Sequence, residues 1–380
     1  MSLKAEILPT PDILAAIRAP FAAAGGVAVD APVLLPLSLL LDLAGEGMRP
    51  RLMVVNDGVE PAALRPDFTI PVVQAHIASG AAAGRYRYEG KTFRAPPPSG
   101  ERPVEFLQIG VESFGGDGDV TTEDAELVGL AWAASSAGGR DDLGLLLGDV
   151  GLFADFLQAL GLPQIAATRL LRTFRSGRAL DRELAAARAT EAEEPAGGRL
   201  ASLLADLPEE EAAAVLGELW SLAGIQPVGG RQPAEIVHRL AQRSEARRQP
   251  RLSAAEADLI ARFVAIVATP KLALDQVEKL ALEARADLSQ TLTEWVRRLK
   301  ALVSAGAPEA AMTMAPGFVR PFGYYDGALF EVRSTALGPD RPVAAGGRYD
   351  GLLARLGGPE GGRAVGCMVR PGRAWKGAAA

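Results

Sequence analysis

Three short segments of the chain carry side chains at a spacing suited to holding a small polar ligand. In Leu64-Arg65-Pro66-Asp67-Phe68-Thr69, an extended approach puts Asp67 and Thr69 on one face, because strand side chains alternate with a period of two. That face offers a carboxylate and a hydroxyl oxygen, both acceptors for an ammonium group. In Phe106-Leu107-Gln108-Ile109-Gly110-Val111-Glu112 the same alternation aligns Phe106, Gln108, Gly110 and Glu112, with the glycine leaving room between an amide and a carboxylate. A third group comprises Val319-Arg320-Pro321-Phe322-Gly323-Tyr324-Tyr325 and then Gly346-Gly347-Arg348-Tyr349-Asp350-Gly351. It adds a guanidinium that can grip a carboxylate or phosphate bidentately, and hydroxyls on rigid tyrosine rings.

The elements that must position these groups are partly readable. Pro71 suits the first position of a helix with Thr69 or Ile70 near its cap. Arg85 to Arg94 and Val104 to Phe114 read as two antiparallel strands joined by the loop Ala95-Pro96-Pro97-Pro98-Ser99-Gly100. Upstream, Leu52-Met53-Val54-Val55 reads as a strand entering a turn at Asn56-Asp57-Gly58. Thr121-Thr122-Glu123-Asp124 offers an N-cap and first-turn acids for a helix to about Ala137. From 165 to 270 the texture is Ala, Leu, Glu and Arg at helical spacing, punctuated by Pro195-Ala196-Gly197-Gly198 and Pro227-Val228-Gly229-Gly230. We read a mostly helical insertion there, with Glu209-Glu210-Glu211 on a solvated helix face. Another helical stretch ends near Val303, and β texture returns at Phe318 to Val332. The organisation is a core of two parts, 1–164 and 271–380, separated by the insertion.

Composition narrows the function. The 380 residues suit two domains or one core with a large insertion. Forty Lys and Arg against 46 Asp and Glu leave a net charge of −6, the wrong sign for gripping a phosphate backbone, so nucleic acid is not an expected partner. One cysteine, Cys367, cannot close an intrachain disulfide, and with two histidines it supplies too few ligands for structural zinc. His76 is expected on an apolar helix and His238 on a surface one. Neither a signal peptide nor a membrane span is expected, which makes the cytoplasm the default compartment, and the tail Ala378-Ala379-Ala380 is expected to fray. Familiar phosphate motifs fail. Gly90-Lys91-Thr92 lacks the P-loop glycine, since position 85 is Arg and Gly84 is one step too far; Gly116-Asp117-Gly118 is followed at the third place by Thr121.

Taken jointly, in order and spacing, several segments resemble the catalytic core of class II histidyl-tRNA synthetases over roughly 20–160 and 275–373. They are Leu64 to Thr69, Phe93-Arg94 with Gln108 to Gly115, Tyr324-Tyr325 before Phe330-Glu331, and Ala345 to Leu352. The resemblance implies an α+β fold, a class II synthetase-like antiparallel sheet flanked by helices. It implies that Asp67, Thr69 and Gln108 hold the amino group of histidine, that Glu112 with Tyr325 or Tyr324 meets the imidazole, that Arg320 serves carboxylate and phosphate chemistry, and that Tyr349 lines the pocket. Arg102 aligns with an ATP-contacting arginine, Phe106 with an adenine-stacking phenylalanine and Arg373 with the third-motif arginine. The family follows the arginine matching Arg94 with His-Glu-Arg, where this chain has Ala95-Pro96-Pro97, and Val369-Arg370-Pro371-Gly372-Arg373 departs from the third motif, with proline where a helix would continue. Arg94, Arg102, Phe106 and Arg373 are therefore either residual nucleotide or phosphate contacts or, for the arginines, structural ion-pair partners.

A histidine pocket on an acidic chain that stops without an anticodon-binding domain is similar to the synthetase-like regulatory subunit of ATP phosphoribosyltransferase. That resemblance implies a non-catalytic chain without cofactor, dimers within a hetero-octamer of four regulatory and four short-form catalytic subunits, activation by assembly, and L-histidine as feedback effector. The alternative is a truncated or stand-alone histidine-activating class II ligase.

Overall fold

The computed structural model describes residues 4–56, 61–96, 102–116, 118–176, 180–188, 207–222, 252–320 and 322–377. The Asp57-Gly58 turn, the loop beyond Pro96, the two Pro-Gly punctuations, His238 and the alanine tail lie outside these residues. Eleven strands are described: β1 (Val27–Ala28), β2 (Leu34–Pro36), β3 (Val54–Val55), β4 (Ala62–Leu64), β5 (Gly84–Phe93), β6 (Glu105–Phe114), β7 (Leu143–Asp149), β8 (Met312–Met314), β9 (Ala328–Ser334), β10 (Ala344–Arg348) and β11 (Ala364–Val369).

Eight of them form one sheet in the order β1-β5-β6-β11-β10-β9-β7-β8. The six inner strands pair antiparallel, as expected, while the short edge strands β1 and β8 pair parallel with β5 and β7. A small antiparallel sheet, β2-β4-β3, stands beside it. The β5–β6 pair is the hairpin read from alternation, with Tyr88 opposite Gly110 and Thr92 opposite Phe106. Along β6 the residues Phe106, Gln108, Gly110, Glu112 and Phe114 are all buried, and Ile109 and Val111 are buried on the other face, as in a strand covered on both sides.

Three local readings are corrected. The helix after Leu64 to Thr69 runs Thr69–Ser79, with Phe68 at the cap position, so Pro71 is its third residue rather than its first. The missing N–H of proline is harmless there, because the first four helical N–H groups have no intrahelical partner. The helix Val120–Ser136 is capped by Asp119, whose carboxylate accepts from the Thr122 amide at 3.1 Å, and not by the threonines that follow. Pro371 opens the short helix Pro371–Ala374 instead of interrupting one.

Within 165–270 the described residues lie mainly in helices, Gln164–Arg175, Leu180–Arg188, Glu209–Leu222 and Ala254–Val264, with Glu211 exposed. Their attachment to the core is aromatic: Phe174 packs on Phe153 at 4.1 Å between centroids, and Phe263 on Phe156 at 4.5 Å. Elsewhere a buried ionic cluster ties the layers together. Asp124 meets Arg348 of β10 at 2.8 Å and Arg298 of the helix Ser289–Ser304 at 3.2 Å, and Trp295 donates to Asp149 at 2.8 Å. Removing one member of such a cluster strands the others in a low-dielectric interior. Asp124→Ala is therefore expected to cost about 3–5 kcal/mol of stability, read as a lowered urea midpoint with an unchanged slope.

Candidate functional site

The turn Leu64 to Thr69 is held in place by two arginines. Arg65 donates to the carbonyls of Ala31 (2.5 Å) and Lys91 (2.9 Å) and lies over the Phe68 ring, while Arg94 donates to Pro66 O at 2.8 Å. Asp67 and Thr69 both point into the buried interior, but they do so from a turn and a first helical residue rather than from an extended strand. Thr69 donates to Glu112 Oε1 at 2.9 Å, and Tyr324 donates to Asp67 Oδ2 at 3.0 Å. Tyr324, Tyr325 and Tyr349 form one aromatic wall, with ring centroids 4.8 to 6.3 Å apart.

Glu112 is the centre of this group and is 1% exposed. Tyr349 donates to its Oε2, and Tyr88 joins Thr69 at Oε1 at 3.3 Å. The register places Gly366 of β11 opposite Glu112, and a Cβ on Gly366 would overlap the carboxylate. Likewise a Cβ on Gly110 would overlap the Tyr88 hydroxyl and the Cys367 carbonyl. Glycine is thus required at these two places so that the carboxylate and its donor can fold over the sheet. Burial pushes the Glu112 carboxyl up to about 8, outweighing the opposing effect of its three donors. Burial also raises Asp67, against the nearby Arg94 and the Tyr324 hydroxyl.

Around this centre several buried atoms have no hydrogen-bond partner: Asp67 Oδ1, both amide atoms of Gln108, and Arg320 Nε. Arg320 reaches Glu331 only at 3.6 Å and lies over the Tyr325 ring. The eight residues Asp67, Thr69, Gln108, Glu112, Arg320, Tyr324, Tyr325 and Tyr349 are therefore gathered into one buried site, four from each part of the core. Tyr88 and Glu331 also belong to it. The alternation of Tyr86 and Tyr88 with arginines along β5 was the available signal for the first, and the sequence Phe330-Glu331 for the second.

Arg320 also borders a neighbouring cavity of about 280 Å³, lined by Arg51, Arg94, Arg102, Arg320, Arg333, Arg370 and Arg373 against Glu331 and Asp340, with Phe106 in its wall. Arg102 pairs with Asp340 at 3.2 Å, and Arg373 lies 3.5 Å from Glu6. Arg370, which pairs with Glu6 at 2.6 Å, covers the Phe106 ring at 3.5 Å, and Phe106 is buried. The ion-pair role foreseen for the arginines thus holds for Arg102 and Arg373, while Arg370, Arg51 and Glu6 had drawn no notice as site residues. His76 is a core residue, stacked on Phe114 at 4.4 Å and linked to the Tyr86 hydroxyl at 3.1 Å.

The family model described as histidyl-tRNA synthetase matches residues 4–225 and 213–371. An ATP phosphoribosyltransferase regulatory subunit of Brucella anthropi is 34% identical over 334 residues, covering 87% of this chain and 88% of its own; that of Brucella ovis is 34% identical over 350 residues, covering 92% of each. The chain belongs to this synthetase-like family of ATP phosphoribosyltransferase regulatory subunits. Among solved structures, an ATP phosphoribosyltransferase regulatory subunit/histidyl-tRNA synthetase from Bacillus halodurans superposes with a TM-score of 0.63 at 20% identity, covering 96% of this chain and 79% of that one. A histidine–tRNA ligase subunit from Alicyclobacillus acidocaldarius gives 0.55 at 22% identity, covering 97% and 94%. These likenesses place the fold of the family, a mixed sheet flanked by helices, on this chain. No helix among the described residues is long and apolar enough to cross a membrane.

The buried carboxyl gives a pH dependence with a definite sign. Folded protein keeps a proton on Glu112 up to about 8, whereas the unfolded chain releases it near 4.5, so folding is favoured at the acid side and that contribution is lost as pH rises between these values. Urea unfolding of Glu112→Gln from pH 5 to pH 8 is expected to show a shallower fall in stability than the unsubstituted chain. Parallel curves would mean that Glu112 is already ionised at pH 5.

Proposed function

We propose that the chain activates the short-form catalytic subunit of ATP phosphoribosyltransferase and carries feedback inhibition by L-histidine at the first step of histidine biosynthesis. The observation that supports this best is the set of unpartnered buried atoms around Glu112. A buried polar atom without a partner costs about 1–3 kcal/mol, so a site that leaves four of them open suits a ligand that supplies the partners. Histidine supplies each one. Its ammonium matches Asp67 and Gln108 Oε1 beside Thr69, its carboxylate matches Arg320 and Gln108 Nε2, and its imidazole N–H matches Glu112, with Tyr324, Tyr325 and Tyr349 as walls.

A regulatory rather than catalytic role is supported by the neighbouring cavity. Arg94 is followed by Ala95 and Pro96, which carry no carboxylate, and Arg370 lies on the face of Phe106. The same proposal includes synthetase-like dimers, assembly with the catalytic chains as four plus four in the cytoplasm, and a division of the chain into core parts 1–164 and 271–380 around an insertion at 165–270. Histidine acts by linkage. It shifts the assembly toward a less active state to the extent that it binds that state more tightly.

The test is the rate of phosphoribosyl-ATP formation by the purified short-form catalytic subunit, with and without this chain, across a histidine titration. A rate that rises on adding the chain and falls with histidine is expected; no change on addition would overturn the proposal. Glu112→Ala is expected to raise the half-inhibiting histidine concentration about tenfold or more, since truncation leaves the imidazole unpaired, while activation without histidine stays near that of the parent chain. Unchanged inhibition would remove Glu112 from the pocket.

A further inference from the structure

The arginine cavity carries more positive charge than its surroundings neutralise. Among the described residues the carboxylates that reach its seven arginines are Glu331, Asp340 and Glu6. Arg51 and Arg94 direct Nε to the carbonyls of Ala95 and Pro66, and neither has a carboxylate within ion-pair distance among the described residues. Charges of one sign gathered in a partly enclosed cleft repel one another and focus the field on an incoming counter-charge. The repulsion is visible at Arg94, whose guanidinium is brought down to about 10 by burial and by its neighbours Arg370 and Arg320, and at Arg373, which burial and Arg370 lower further. Such an excess is unusual on a chain whose net charge is −6.

The cavity has a second property that limits what can enter. Phe106 is its aromatic platform, yet it is 2% exposed, and the Arg370 guanidinium lies 3.5 Å above the ring centroid. Arg370 is fixed there by Glu6 at 2.6 Å, on an N-terminal segment that is itself pinned through Glu6 N to Glu105 O at 2.8 Å. A nucleobase would have to displace this anchored stack. Phosphate oxygens need no platform, and forked guanidinium groups suit them.

We infer that the arginine cavity is a binding site for a compact polyphosphate anion, either free or borne on a phosphorylated sugar, and that it takes no stacked nucleobase. Glu6 is the internal carboxylate that such an anion competes with for Arg370 and Arg373. The cavity's volume of about 280 Å³ lies at the small end of ligand pockets, as suits an anion of this kind. This site is separate from the pocket proposed for histidine and does not depend on it, although Arg320 borders both.

Isothermal titration of the full chain, without any catalytic subunit or histidine, tests the inference with inorganic pyrophosphate, tripolyphosphate, phosphoribosyl pyrophosphate, ATP and adenosine as probes. Saturable binding of pyrophosphate below about 1 mM is expected, roughly 4 kcal/mol of binding free energy, with ATP no tighter than tripolyphosphate and no binding of adenosine. Phosphoribosyl pyrophosphate tighter than pyrophosphate would identify the sugar-borne form, and equal affinity the free anion. Arg94→Gln is expected to weaken pyrophosphate about tenfold or more, the loss of one charge-assisted contact. Glu6→Gln, which leaves the cavity arginines in place, is expected to tighten it severalfold, whereas charge screening at the protein surface would leave it unchanged. The absence of saturable binding by the unsubstituted chain, or ATP binding about tenfold tighter than tripolyphosphate with the difference erased by Phe106→Ala, would overturn the inference.

Discussion

One buried carboxylate sets the terms for much of this fold. Glu112 sits on a central strand with almost no exposure, and a carboxyl in such a place must find donors or keep its proton. The chain does both. Thr69 reaches it from a helix start, Tyr88 from the adjacent strand and Tyr349 from the residue after β10, so segments far apart in sequence must converge on one atom pair. The convergence is possible only because Gly366 and Gly110 leave volume that any other side chain would fill. A shift of one residue in the β6–β11 register would bring a side chain against the carboxylate, so the pairing Gly366 with Glu112 and the site are two aspects of one constraint.

Arg320 links this centre to the arginine cavity. It borders both, lies over Tyr325, and is near Glu331, which also holds Arg333 at 2.7 Å. A charge brought to either side changes the balance felt by Arg320, and through it the other side, without any large rearrangement of the backbone. Two-site coupling of this kind requires only that each ligand favour a different placement of a shared group.

What the sequence made legible follows the range of the interactions. The β5–β6 hairpin and the buried row Phe106, Gln108, Gly110 and Glu112 rest on a period of two, a local property, and alternation reveals it. The pocket residues could be gathered in advance through their joint spacing, although Asp67 and Thr69 come together through a turn and not through a strand face. The cap of the helix Val120–Ser136 was displaced by two residues because Asp119, Thr121 and Thr122 are all competent caps and only the backbone path selects among them. Glu6 with Arg370 was not legible at all. Their pairing spans most of the chain and depends on the N-terminal segment running beside Glu105 before the two ends can meet.

The proton on Glu112 also bears on why a pocket of this construction suits the proposed ligand. In the empty site burial outweighs the three donors, so the carboxyl is largely neutral near pH 7 and the interior holds no bare charge. An imidazole has both a donor nitrogen and a basic one, and its ordinary pKa near 6.5 lies close enough to that of Glu112 for a proton to be shared or passed between them at little cost. An amino acid with an apolar side chain would leave the carboxyl as it was, and one with a carboxylate would place two acids side by side. Discrimination then comes from the match of proton affinities across a buried contact as much as from shape, and Tyr349, Thr69 and Tyr88 hold the carboxyl in position for that exchange.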